Sequence, residues 1–135
     1  MGARTPDFHV ADAGRTAIRI DGLPLQVETP WDTYARSPQK ILSLRGEFAI
    51  ALSSQDRLIL ARDPAGRRPL FFRQDEDGIV FGSTPMALAP AASIERDWLA
   101  RQLLLLPDRD ASTGFSGVRR VLPGEVLAFH RPSEP

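Results

Sequence analysis

Nucleophiles and metal ligands are scarce in this sequence, and that scarcity decides most of its chemistry. None of the 135 residues is cysteine, which removes a thiolate nucleophile, a thiolate metal site and any disulfide framework. His9 and His130 are the two imidazoles, at opposite ends of the chain. A Ser-His-Asp arrangement stays open to them, but no Gly-x-Ser-x-Gly elbow supports one. A two-histidine metal site would need carboxylates at a spacing the sequence does not offer. Asp75-Glu76-Asp77-Gly78 has the acidity of a calcium loop, yet Ile79 fills the fifth ligand position and no Glu stands at the twelfth, so it reads as a solvated hairpin turn. Arg67-Arg68 and Arg119-Arg120 could meet phosphate or an acidic peptide, but with zero net charge they read as solvated surface. Arg62-Asp63 remains. Adjacent residues at a strand end point to opposite faces, so these two do not pair with each other. Asp63 is expected to cap its own turn and Arg62 to meet a carboxylate elsewhere, a structural role for both.

Composition narrows the class. Apolar residues make up 42%, and the 10 glycines bring that to about half, the usual globular share. A chain of this length buries about two-thirds of its unfolded surface, enough for a core without metal or disulfide. Seventeen basic residues, all arginine except Lys40, balance seventeen acidic ones. That balance argues against nucleic acid or anionic membrane as partners. The longest aliphatic run, Leu103–Leu106, is far short of the roughly 20 residues of a spanning helix. Met1–Arg15 is too polar for a signal peptide, and Pro6 stands where a myristoylation signal needs Ser or Thr. The expectation is one soluble cytoplasmic domain.

The elements that must position these residues fall into three stretches. In the first, Ala17–Ile20 and Leu23–Glu28 alternate around Asp21-Gly22, predicting a hairpin with Pro24 on an edge strand. Asp32–Leu44 predicts a short helix with Ile41, Leu42 and Leu44 inward, broken or started at Pro38. In the second, Phe48–Leu52 and Leu58–Ala61 are continuously apolar, as in strands covered on both faces. Asp63-Pro64-Ala65-Gly66 matches a type I turn, with Gly66 free to take positive φ. Pro69–Phe72 and Ile79–Phe81 then complete a predicted four-strand meander. In the third, Thr84-Pro85 predicts a cap and first turn through Leu88, and Ser93 a second cap. Trp98, Leu99, Leu103 and Leu106 recur at helical spacing up to Pro107 and are expected in the core. Val118 and Val121, then Glu125–Phe129, read as late strands around Pro123-Gly124, and Ser133-Glu134-Pro135 as the start of a linker.

Three blocks carry a resemblance. They are Leu44–Leu52, then Leu58–Phe72 with Ala61-Arg62-Asp63-Pro64-Ala65-Gly66-Arg67-Arg68-Pro69-Leu70 at its centre, then Phe81-Gly82-Ser83-Thr84-Pro85-Met86-Ala87-Leu88, followed by Gly117–Glu125. In this order and spacing the chain resembles the glutaminase-like (class II glutamine amidotransferase) N-terminal domain of the asparagine synthetase, β-lactam synthetase and lasso-peptide cyclase family. The resemblance covers residues 41–130, with 1–40 weakly matching and 131–135 the linker start. It implies an α+β fold, the αββα sandwich of N-terminal-nucleophile hydrolases, truncated or degenerate at its N-terminus. The matching motif positions, read as structural, are Gly46, Phe48, Arg62, Asp63, Gly66, Pro69, Leu70, Ser83, Pro123 and Gly124.

Departures from the family pattern shape the functional expectation. The family's cysteine follows the initiator methionine and attacks the glutamine amide; position two here is Gly2, and neither Thr5 nor Thr16 sits at a processed terminus. The family's Asn-Gly oxyanion block has no match before Leu44, and Asp21-Gly22 lacks the amide donor, a loss worth about a hundredfold in rate. Neither the Ser-Gly-Gly-x-Asp-Ser pyrophosphate loop of the synthetase half nor a Walker sequence is present. The resemblance thus implies a non-catalytic scaffold or docking domain of an ATP-dependent amide-forming synthetase, of the lasso-peptide cyclase type. No catalytic, cofactor or metal residue is expected here, and ATP and magnesium are implied only for the partner. That partner is a synthetase domain in cis or trans, with a precursor peptide as a further candidate. The alternative is a stand-alone protein- or peptide-binding module, whose partner surface would be a sheet edge or the Trp98–Leu106 helix face; a hydrolase with a novel nucleophile is a third reading.

Overall fold

The computed structural model describes residues 9–11, 17–25, 27, 29–54, 57–76, 78–89, 94–107 and 110–130, with the main chain alone at 9–11, 17, 19, 24 and 25. Expectations about Gly2, Thr5, Thr16, the His9 side chain, Asp77, Ser93 and the Ser133–Pro135 linker lie outside the described residues. The chain is α+β and divides into two compact units, Pro6–Arg68 with Pro123–Pro135, and Pro69–Leu122 with Met1–Thr5.

The first unit holds a five-stranded antiparallel sheet in the order β1-β2-β3-β4-β8. Its strands are β1 His9–Ala11, β2 Ala17–Leu25, β3 Arg45–Ser53, β4 Arg57–Arg62 and β8 Val126–His130. The apolar runs read from the sequence are β3 and β4, paired from Ala49↔Arg62 to Ser53↔Leu58. Because strand side chains alternate in direction, Phe48, Ile50 and Leu52 share one face. They meet Ile18, Ile59, Ala61 and, from the helices, Tyr34, Ala35 and Ile41 in one buried cluster. Ala49, Ala51 and Leu60 are buried as well, so both faces of these strands are covered. Burying each large side chain in this cluster contributes about 1.5–3 kcal/mol.

The predicted Asp32–Leu44 helix is two pieces. Helix α1 spans Trp31–Arg36, and a 3-10 helix spans Pro38–Ser43. Pro38 lacks an N–H to continue α1 and opens the second piece instead. Ile41 and Leu44 are buried as expected, while Leu42 is half-buried. Trp31 and Tyr34, one turn apart, pack with ring centroids 5.1 Å from each other and their planes tilted by 46°.

The predicted Asp21-Gly22 hairpin is absent: both residues lie inside β2, opposite Ala49 and Phe48. A nine-residue ladder with β3 outweighs the local turn preference. Gly22 is tied to that ladder by sterics, since a Cβ there would sit 2.1 Å from the Glu47 carbonyl oxygen.

The second unit carries a three-stranded antiparallel sheet, β6-β5-β7, from β5 Phe71–Asp75, β6 Gly78–Gly82 and β7 Val118–Arg120. Leu70, Phe72, Phe81, Leu88, Val118 and Val121 are its buried apolar residues. The four-strand meander is therefore two hairpins in two sheets. After β4 the Asp63 turn and the prolines at 64 and 69, which cannot donate to a ladder, carry the chain away, and β8 takes the free edge of β4. Pro69-Leu70 lies before β5 and outside the ladder, although the Leu70 carbonyl accepts from Val121 N at 2.9 Å. Likewise β7 and β8, read together around Pro123-Gly124, pair with β5 and β4 respectively. Met86–Leu88 is a 3-10 turn whose cap position is Pro85, and no side chain caps it.

Helix α2, Arg96–Leu103, buries none of its residues, contrary to the core placement expected for its leucines. Trp98 does lie against the loop: a Cβ at Gly114 would be 2.8 Å from Trp98 Cζ3. Periodicity put these residues on one side of a helix but could not say whether anything faced that side.

Candidate functional site

Six of the ten motif residues converge at the end of β4. Asp63 is fully buried and ties together β3, its own turn and the Pro123-Gly124 segment. Its main-chain N–H donates to Phe48 O at 3.0 Å, and Phe48 N donates back to Asp63 Oδ2 at 3.3 Å. The N–H groups of Arg67 and Arg68 point at Oδ1 and Oδ2, at 3.4 and 3.5 Å. Its carbonyl accepts from Gly66 N at 2.9 Å, closing the predicted turn, and from Gly124 N at 3.1 Å. The Asp-Pro-Ala-Gly sequence thus folds onto its own carboxylate, as a turn-initiating Asp does.

Arg62 braces the same turn from the strand side. Its Nε donates to Arg68 O at 2.7 Å and its Nη2 to Gly66 O at 2.6 Å. A carboxylate was anticipated for this guanidinium; two main-chain carbonyls are among its acceptors. Gly66, at φ +65°, is required twice over, because a Cβ would fall 2.5 Å from Pro123 Cγ. These side-chain hydrogen bonds join Arg62 and Asp63 to the chain's own backbone, including the N–H groups of Arg67 and Arg68.

Arg67 and Arg68 have counter-ions within their own unit. Arg67 reaches Glu47 at 3.2 Å, and Arg68 reaches Glu47 at 3.7 Å and the buried Asp21 at 3.8 Å. These pairs are partly exposed, so each contributes about 0–1 kcal/mol, and they blunt any appeal to phosphate. Gly46 sits on β3 opposite Pro24. Pro69, Leu70 and Ser83 belong to the other unit, where Leu70 is buried and Pro69 exposed. His130 is exposed on β8. Asp75, the first residue of the acidic turn, is held by Arg73 at 2.9 Å. Among the described residues no three His, Cys, Asp or Glu side chains group as metal ligands, and no helix is long and apolar enough to cross a membrane.

A second polar cluster, which the sequence did not reveal, lies beside α2. Arg101 donates to Asp110 Oδ2 at 3.2 Å and to Ser112 Oγ at 3.0 Å, and Ser112 N donates to Asp110 Oδ1 at 3.0 Å. The Ser112 hydroxyl foremost, then its main-chain N–H and Arg101, lower the Asp110 pKa to about 2. No motif marks these residues; spacings of nine and two combine only once the loop folds back on the helix.

Two relatives align with this chain. It is 32% identical over 95 residues to asparagine synthetase [glutamine-hydrolyzing] 3 of Bacillus subtilis (strain 168), which is 65% of this chain and 16% of that protein. It is 37% identical over 97 residues to amidase chyE of Penicillium rubens, 70% of this chain and 14% of that protein. The chain spans about one-sixth of the length of these curated relatives. The glutamine amidotransferase domain matches over residues 31–134, a span that takes in α1, the whole Arg62–Asp63 hub, strands β3, β4 and β8 of the first sheet and all of the second. On that match the chain belongs to the glutamine amidotransferase domain family.

Proposed function

We propose that this chain is a non-catalytic glutamine amidotransferase-like domain that serves as scaffold or docking part of an ATP-dependent amide-forming synthetase. The whole of residues 1–135 acts as one glutaminase-like domain of the αββα sandwich type in this reading. The observation that carries it is the pairing of a family fold with a sequence free of cysteine, so that no thiolate can attack a glutamine amide. The Arg62–Asp63 hub supports it further, since both side chains of that motif hydrogen-bond to the chain's own backbone. A lasso-peptide cyclase-type home suits such a domain, because an amide formed with the peptide's own amine needs no ammonia from glutamine. ATP, magnesium and the acyl-activating residues would then belong to the synthetase part, and the setting would be cytoplasmic.

The test is direct. The purified chain, incubated with glutamine, is expected to release no ammonia above buffer. Turnover that survives a second, orthogonal purification would refute the non-catalytic reading. Copurification with a synthetase polypeptide tests the docking half of the proposal.

A further inference from the structure

We draw no further inference here: the strongest candidate, the exposed apolar end of helix α2 at Leu103–Leu106 with Leu105 in the left-handed region at φ +55°, is a surface patch for which nothing in the structure shows what covers it.

Discussion

Replacing Asp63 by alanine separates an architectural hub from a ligand site. The substitution removes both carboxylate oxygens and leaves three main-chain N–H groups without them. Phe48 N is buried, so its loss alone costs about 1–3 kcal/mol. Arg67 is exposed and Arg68 half-exposed, and their contacts of 3.4 and 3.5 Å are long; water replaces them at about 0.5 kcal/mol each. The total is about 2–4 kcal/mol, a large part of the stability of a small domain but short of all of it. With a urea slope of about 1.5 kcal/mol/M, the midpoint falls by about 1.3–2.7 M. Trp31 lies in the same unit as the hub, whereas Trp98 lies in the other. Trp31 emission in a Trp98→Phe background therefore reports the relevant transition. Asp63→Asn, which keeps one carbonyl oxygen but turns an N–H toward a main-chain donor, should fall between the alanine variant and wild type. A folded Asp63→Ala protein whose midpoint moves by less than about 0.5 M would refute the architectural account, and Asp63 would have to be reconsidered as a binding residue.

Other outcomes follow from the same geometry. Gly66→Ala meets Pro123 at 2.5 Å in a left-handed conformation and should cost about 2–3 kcal/mol, whereas Gly78→Ala, with nothing within 4 Å of its Cβ, should cost only the backbone strain of about 1–2 kcal/mol; paired urea melts give the difference. Leu105→Gly relieves a left-handed leucine and should stabilise the isolated chain by about 1 kcal/mol, raising the melting temperature by about 3–5 °C in calorimetry. For Asp110 the folded pKa, about 2, lies below its ordinary value of 3.8, so its contribution is present above pH 4 and fades as pH falls toward 2. Asp110→Asn should therefore flatten the stability profile between pH 4 and 2, and added salt should mute the difference because the group is exposed. Gly114→Ala would drive a methyl into the Trp98 ring and should shift the Trp98 emission; an unchanged spectrum would mean that the helix is not seated there.

Several features are written in short-range sequence and needed no partner to be read. Asp63-Pro64-Ala65-Gly66 makes its turn because each residue prefers its own backbone angles, and the apolar runs of β3 and β4 are strands because they are short, β-favouring and bounded by polar breaks. Ile41 and Leu44, read as inward-facing from the apolar pattern, are buried. That none of the 135 residues is cysteine is a fact of composition alone. Tertiary structure decided the rest. Asp21-Gly22 is a hairpin signal until a nine-residue partner strand claims it, and which strand pairs with which depends on edges created elsewhere in the chain. Arg62 shows its carbonyl acceptors only once the turn has closed around it. The helical spacing of Leu99, Leu103 and Leu106 specifies a shared side, and nothing in a spacing says what lies across from it. That is the physical division: angles and periods are properties of neighbours in sequence, whereas burial and partnership are properties of neighbours in space.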